Sequence, residues 1–157
     1  MARLRKKSKT VLKKKIAIVA SRFNEFVTQR LLKACLKELS RQGIQENGLI
    51  VVWVPGSLEI SLAALTLARR KDVAAVICLG AVIRGETFHF ELVARGVAEG
   101  VTQASLIAEK PIIFGVLTTD TVDQAYKRSQ DKGNNKGRDA ALAALAMVNL
   151  MDGLKNK

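Results

Sequence analysis

The chain has 157 residues, of which 48% are hydrophobic and 25% are charged. This length and composition predict one folded domain with a sizeable core. No apolar run approaches the roughly 18 residues that a membrane-spanning helix needs, so we expect no membrane contact. A single histidine and two separated cysteines, Cys35 and Cys78, argue against a metal site. We expect both thiols to be buried and reduced, as is usual in the cytoplasm.

The net charge of +12 is concentrated at one end of the chain. Residues 1–15 contain eight lysines and arginines and no acidic residue, which leaves +4 for the remainder. We therefore predict that residues 1–14 form a disordered basic tail and that residues 15–157 form a single domain. The tail would contact polyanions such as nucleic acids weakly, or it would be a solvated segment without a function. It lacks the apolar segment of a secretion signal, so we expect a cytoplasmic protein.

The first half of the chain alternates between strand and helix patterns. A buried strand is predicted over residues 15–20, and Asn24 is expected to cap a helix that ends at Gly43. A second strand, residues 49–54, precedes a proline–glycine turn, and a second helix is predicted over residues 57–70.

The second half continues this alternation. An uninterrupted apolar run predicts a buried strand over residues 73–79, then a turn bracketed by Gly80 and Gly85 and a helix from Thr87 to about Glu109. The remaining predicted elements are a strand (111–117), a short helix that includes Arg128 and a final helix (138–152). Alternating elements imply right-handed crossovers and a parallel sheet covered on both faces. The predicted fold class is therefore α/β: a flavodoxin-like, three-layer α/β/α sandwich with a four-stranded parallel sheet.

Two glycines, Gly96 and Gly100, lie four residues apart within the predicted third helix. A glycine inside a helix costs about 1 kcal/mol relative to alanine, so this spacing predicts a close approach by another backbone. We take this helix as a candidate subunit contact, with packing inside one domain as the alternative.

The predicted site lies in the loops after the first three strands, because ligands of parallel sheets bind beyond the carboxyl ends of the strands. Phe23 follows the first strand, where its ring is suited to stacking on a flat heterocycle; the alternative is a contact that fixes the start of the helix. Glu59 in the second loop would accept hydroxyl or N–H donors. The third loop precedes His89, the only histidine of the chain.

The third loop has the spacing of the ATP-binding motif GxxxxGK[ST], with Gly80, Gly85 and Thr87 in register. Glu86, however, stands where that motif has lysine, and its carboxylate would repel a triphosphate. A single phosphate held by backbone N–H groups and the Thr87 hydroxyl is compatible with the sequence. Together the three loops predict a site for a planar ring and one phosphate.

Five motifs carry a specific resemblance to a known family. They are Arg22-Phe23-Asn24, Pro55-Gly56-Ser57-Leu58-Glu59, Gly80 to Phe90, Phe114 to Thr119 and Asn135-Lys136-Gly137. In order and spacing they resemble the 6,7-dimethyl-8-ribityllumazine synthases, transferases of the penultimate step of riboflavin biosynthesis. In that step 5-amino-6-(D-ribitylamino)uracil condenses with 3,4-dihydroxy-2-butanone 4-phosphate, losing phosphate and water, without a metal or an organic cofactor.

The resemblance implies a role for each site residue. His89 would transfer protons. The pyrimidine and its ribityl chain would contact Phe23, Ser57, Leu58, Glu59, Ala81, Val82, Ile83 and Phe114. The phosphate would contact Gly85, Glu86, Thr87, Arg128 and Lys136. The resemblance also implies a homo-oligomer, either a pentamer or a 60-subunit shell of pentamers, in which Phe114, Arg128 and Lys136 reach the neighbouring subunit's site.

The sequence departs from the family pattern at two positions. Ile60 stands where proline is frequent, and Asn134 stands where glycine is usual, so the loop before Lys136 is expected to differ. Two other interpretations remain open. A flavodoxin-like domain that binds a flavin or a nucleotide would leave His89 and Arg128 unexplained. A protein that binds nucleic acid through the basic tail is the other, but that tail contains no aromatic residues on which bases could stack.

Overall fold

A computed structural model describes residues 13–155 of the chain. The strands are β1 (Lys15–Ser21), β2 (Leu49–Val54), β3 (Val73–Ile83) and β4 (Ile112–Thr119). The helices are α1 (Glu25–Arg41), α2 (Ile60–Ala68), α3 (His89–Ala108), α4 (Val122–Arg128) and α5 (Lys136–Lys155), with a single 3₁₀ turn (Glu46–Gly48) before β2. The predicted alternation of strands and helices is confirmed.

The four strands form one parallel sheet in the order β2-β1-β3-β4. Because successive side chains of a strand point to opposite faces, β1 contributes to two separate cores. Ile16 and Ile18 pack with α1 and α5 on one face, whereas Ala17 and Val19 pack with α2 and α3 on the other. The predicted flavodoxin-like three-layer α/β/α sandwich is therefore confirmed.

Both cysteines are buried within these cores and form no disulfide. Burial in apolar surroundings disfavours a thiolate, and it raises the pKa of both Cys35 and Cys78 to about 12. The prediction of buried thiols is confirmed. Within the described part of the chain, no helix is long and apolar enough to cross a membrane.

Several predicted boundaries were wrong, for local reasons. The strand β3 runs on to Ile83 instead of turning at Gly80, because β4 remains paired with it as far as Thr119. The second helix begins at Ile60 rather than residue 57, since the preceding residues form a turn. The helix α3 starts at His89, two residues later than predicted.

The last helix also differs from its prediction at both ends. It starts at Lys136 because the buried Asn135 caps it: the Asn135 side-chain oxygen accepts a hydrogen bond from the Gly137 N–H at 2.8 Å. It continues through Gly153 to Lys155. The left-handed residue in the preceding loop is Gly133, with φ of +95°, so Asn134 needs no glycine-like conformation.

The glycine pair of α3 is explained by packing within the chain. A Cβ atom on Gly96 would lie 2.7 Å from a methyl carbon of Leu58, and one on Gly100 would lie 2.8 Å from Cβ of Ser61. The close approach predicted from the spacing is therefore made by the segment around the start of α2. The role of α3 as a subunit contact stays a prediction.

The predicted basic tail falls largely outside the described residues, because the first described residue is Lys13. Lys13 and Lys14 are exposed and precede β1. The prediction of a disordered tail over residues 1–14 is therefore not tested for residues 1–12.

Candidate functional site

The floor of the candidate site is the end of β3, which extends beyond its neighbour β1. Pairing with β1 ends where Ala20 faces Leu79, whereas pairing with β4 continues until Ile83 faces Thr119. The last four residues of β3 therefore have a strand on only one side. On the other side, the Ala81 carbonyl accepts a hydrogen bond from the Asn24 side chain, and no described strand pairs with the remaining backbone groups of residues 80–83.

A cavity of about 540 Å³ lies above this floor, and all three predicted loops contribute to it. Its lining includes Phe23, Ser57, Leu58, Glu59, Ala81, Val82, Ile83, Gly85, Thr87 and His89. Phe90 and Val93 of the first turns of α3 add an apolar wall. Ten of the residues assigned by resemblance thus border one cavity, while Glu86 is exposed beside it and does not line it.

The loop after β1 presents Phe23 to solvent. The Phe23 ring is 72% exposed, which is unusual for a large apolar side chain unless it contacts a ligand or a partner. Asn24 fixes this loop: its backbone is left-handed, with φ of +58°, and its side-chain amide donates to the Ala81 carbonyl at 2.8 Å. Asn24 is the N-cap residue of α1, as predicted, but its side chain makes no capping hydrogen bond and instead ties the loop to the floor.

The loop after β2 contributes two polar side chains, Ser57 and Glu59, to the cavity lining. Ser57 is buried, whereas Leu58 and Glu59 are exposed. The Glu59 carboxylate lies over Gly56, where a Cβ would be 2.8 Å from its Oε2. A Cβ on Gly80 would meet the hydroxyls of Ser21 at 2.6 Å and Ser57 at 3.2 Å, so this glycine leaves room for both hydroxyls.

The loop after β3 is an exposed turn of residues 84–88 that leads into α3. A Cβ on Gly85 would meet nothing within 4 Å, so its backbone is accessible. The Thr87 hydroxyl accepts a long hydrogen bond, 3.4 Å, from the His89 N–H at the start of α3. His89 itself is exposed and faces the cavity. A free helix N-terminus beside a hydroxyl and an imidazole is suited to binding an anion and moving a proton.

Three assigned residues lie elsewhere in the chain. Phe114 of the edge strand β4, Arg128 at the end of α4 and Lys136 at the start of α5 line a second cavity of about 380 Å³. Phe114 is 42% exposed, and among the described residues the Arg128 guanidinium donates only to the Gln124 carbonyl, at 3.2 Å. The Lys136 ammonium contacts Asp139 at 3.2 Å. Within one chain these three residues do not share a cavity with His89.

Two residues that organise the site were not assigned to it from the sequence. The cross-loop bond of Asn24 joins residues 57 positions apart, and no local pattern predicts it. Arg84 forms ion pairs with Glu91 and Asp120 around the turn. In the sequence it is part of the motif from Gly80 to Phe90, and nothing there indicates these partners. The only signal in the sequence was the residue type of Asn24, since asparagine tolerates positive φ better than most residues.

A family model described as 6,7-dimethyl-8-ribityllumazine synthase matches residues 13–152. The match spans all four strands, both cavities and every loop described above. The chain therefore belongs to the 6,7-dimethyl-8-ribityllumazine synthase family, a family of transferases in riboflavin biosynthesis.

Proposed function

We propose that this protein condenses 5-amino-6-(D-ribitylamino)uracil with 3,4-dihydroxy-2-butanone 4-phosphate to give 6,7-dimethyl-8-ribityllumazine, phosphate and water, with no metal or organic cofactor. Family membership supports the pathway. The observation that carries the substrate assignment is a single cavity that combines an exposed aromatic ring, the backbone of residues 81–83, an exposed turn at the start of α3 and the only histidine.

The pyrimidine would bind between Phe23 and the floor of the cavity. An exposed ring on one side and the backbone of residues 81–83 on the other match a flat heterocycle with N–H and C=O groups along its edge. The ribityl hydroxyls would donate to the Glu59 carboxylate and exchange hydrogen bonds with the backbone around Ser57.

The butanone phosphate would bind at the turn before α3. Accessible backbone at Gly85, the Thr87 hydroxyl and the positive end of the α3 dipole all favour one phosphate. The carboxylate of Glu86 does not line the cavity and is free to stay in solvent. Arg128 and Lys136 of a second subunit would complete the charge balance.

The chemistry requires proton transfers but no redox step. The 5-amino group attacks the ketone and loses water to form an imine. Removal of a proton from the neighbouring hydroxyl-bearing carbon expels phosphate from the next carbon, and the resulting enol becomes a ketone. The ribitylamino nitrogen attacks that ketone and a second water leaves. We assign His89 to these proton transfers, because it borders the phosphate turn.

The direct test is to mix the protein with both substrates and follow the absorbance and fluorescence of the lumazine. His89→Ala should lower the turnover number about 100-fold without unfolding the protein, the low end of general acid–base effects, because positioning alone accelerates such a condensation. Failure of the wild-type protein to form the lumazine would reject the proposed reaction. An unchanged turnover number in a folded variant would remove His89 from the mechanism.

Arg128→Ala should reduce kcat/KM for the phosphate substrate roughly 30- to several-thousand-fold, the range for losing a charge-assisted partner. Affinity for the pyrimidine should stay near wild type, and Arg128→Lys should recover only part of the loss, since an ammonium lacks the planar fork. Varying each substrate in turn separates these effects. Equal losses toward both substrates would place Arg128 outside the phosphate site.

Sharing of the site between subunits is tested by mixing the two variants. If Arg128 serves the neighbouring subunit, co-expressed His89→Ala and Arg128→Ala chains form some sites with both wild-type residues. In a randomly mixed ring, where each site combines one subunit with its neighbour, about one quarter of the sites are of this kind. Activity should then rise to about one quarter of wild type. If both residues act within one chain, no mixed site is complete and activity stays at the level of the variants.

We further propose that the working oligomer is a pentamer or a 60-subunit shell of pentamers in the cytoplasm. Exposed apolar side chains on α3, including Leu92, Leu106 and Ile107, support burial of this helix by another subunit. Sedimentation that finds an active monomer would contradict both the oligomer and the shared site.

A further inference from the structure

We propose that Arg84 is a positioning residue. Its guanidinium would fix the positions of both the phosphate-binding turn and the helix α4. This inference rests on the proposed function, because it concerns the binding of the phosphate substrate. Arg84 does not line either cavity, and its effect would be exerted through the segments that it joins.

The first part of the argument is the number of contacts that Arg84 makes at the end of β3. Its backbone N–H donates to the Thr119 carbonyl at 2.9 Å, which extends the pairing of β3 with β4 by one residue. Its Nε donates to the Asp120 carboxylate at 2.7 Å, and its Nη1 pairs with Glu91 in the first turn of α3. The guanidinium also lies 4.3 Å from the centre of the Phe90 ring.

These contacts enclose the turn of residues 85–88. Arg84 precedes the turn, and Phe90 and Glu91 follow it, so the two contacts of Arg84 with α3 close the turn at its base. Individual surface ion pairs contribute little, but several contacts that share one planar guanidinium restrict its orientation. The pKa of Glu91 lies below its ordinary value, chiefly because of the hydrogen bond from Arg84, so the pair is ionised at neutral pH.

The second part of the argument is the connection to Arg128. The Asp120 backbone N–H donates to the Gln124 side-chain oxygen at 2.9 Å, and the Gln124 carbonyl accepts from the Arg128 guanidinium at 3.2 Å. A continuous series of contacts therefore runs from the turn through Arg84 and Asp120 to α4. The turn and Arg128 belong to different cavities of one chain, so Arg84 would position phosphate-binding groups of two neighbouring sites.

The chain contains a matched control for an exposed arginine–carboxylate pair. Arg70 donates to Asp72 through Nε at 2.9 Å and Nη2 at 2.8 Å, and the Arg70 side chain is 48% exposed, compared with 43% for Arg84. This pair lies just before β3, at the opposite end of that strand from the site. Arg70→Met therefore removes a similar pair without touching either cavity.

The experiment compares Arg84→Met, Arg84→Lys and Asp120→Asn with Arg70→Met by steady-state kinetics and by hydrogen–deuterium exchange. We expect Arg84→Met to lower kcat/KM for the butanone phosphate about 10- to 100-fold, the loss caused by misplacing binding groups by about 1 Å. The KM for the pyrimidine should change less than twofold, Arg84→Lys should recover part of the loss, and Arg70→Met should leave both constants unchanged. Asp120→Asn tests the same network if Arg84→Met fails to fold.

Hydrogen–deuterium exchange is measured on the enzyme without substrates, so its result does not depend on turnover. Backbone amides of residues 85–91 and 120–128 should exchange faster in Arg84→Met than in wild type and in Arg70→Met. Unchanged exchange, or equal kinetic losses toward both substrates, overturns the proposal. A wild-type protein that exchanges as expected but makes no lumazine would reject the proposed reaction, and the comparison of exchange rates would still decide whether Arg84 holds the two segments.

Discussion

Replacing Gly100 by alanine tests the packing of α3 against α2. The added Cβ would overlap Oγ of Ser61 and lie 2.8 Å from Cβ of Ser61. Rotation of the Ser61 hydroxyl could relieve the first contact, but the second involves an atom fixed to the backbone of α2. One of the two helices must therefore shift by several tenths of an ångström.

Two opposing effects determine the magnitude. Alanine stabilises a helix interior by up to about 1 kcal/mol relative to glycine. Overpacking of a well-packed contact costs about 1–3 kcal/mol. We expect Gly100→Ala to lower the free energy of unfolding by about 0–2 kcal/mol, because the steric cost exceeds the gain in helix propensity.

Two other helical glycines are matched controls. A Cβ on Gly153 of α5 would meet nothing within 4 Å, so Gly153→Ala should stabilise the protein by up to about 1 kcal/mol through propensity alone. A Cβ on Gly96 would meet only the flexible end of Leu58, at 2.7 Å, so Gly96→Ala should be near neutral. Replacing Ser61 by glycine in the Gly100→Ala variant removes both clashing atoms and should reduce the effect of that substitution.

The assay is urea unfolding at one fixed subunit concentration, because the stability of an oligomer depends on concentration. The three variants should unfold in the order Gly100→Ala first, Gly96→Ala next and Gly153→Ala last. If Gly100→Ala were as stable as Gly153→Ala, the contact with Ser61 would carry no steric cost and the explanation of the glycine pair would be wrong.

Three further predictions concern other parts of the chain. Gly137→Ala should prevent or severely impair folding, since its Cβ would overlap the Leu31 carbonyl oxygen and lie 2.8 Å from the Leu31 Cα; yield of soluble protein and circular dichroism check this. Native protein at pH 8 should resist thiol reagents, because at a pKa of about 12 only about one thiol in 10⁴ of Cys35 and Cys78 is ionised, whereas both should react after denaturation. Deleting residues 1–14 should leave the turnover number nearly unchanged, because the tail lies outside every motif; a large loss measured by steady-state kinetics would contradict this.

The fold could be predicted from the sequence because its strands are short apolar runs with clear ends. The run from residue 73 has apolar residues on both faces, which is possible only under helices on both sides of a sheet. The boundaries were harder to predict where tertiary contacts decide them. The end of β3 is set by pairing with β4 and not by Gly80, and the start of α5 is set by the buried cap at Asn135.

The candidate site could likewise be predicted only in part. Loops at strand ends could be predicted to meet, because parallel strands bring their carboxyl ends to one edge of the sheet. The contacts that hold these loops could not be predicted. The Asn24 amide reaches a carbonyl 57 residues away, and the Arg84 guanidinium reaches Asp120, 36 residues away. Such pairs depend on strand register, which becomes known only once the sheet has formed.

Strand register also explains why the two cavities that contain the assigned residues are separate. Pairing of β3 with β1 ends four residues before its pairing with β4. The unpaired edge of β3 therefore faces the loops after β1 and β2, where the first cavity lies. Phe114 faces Cys78 across the β3–β4 pair and belongs to the outer edge of the sheet, where the second cavity opens between β4 and α5. Two cavities separated by the sheet cannot merge within one subunit. A site that needs His89 together with Phe114, Arg128 and Lys136 therefore requires the edge strand of another copy, and the mixing of inactive variants tests this requirement directly.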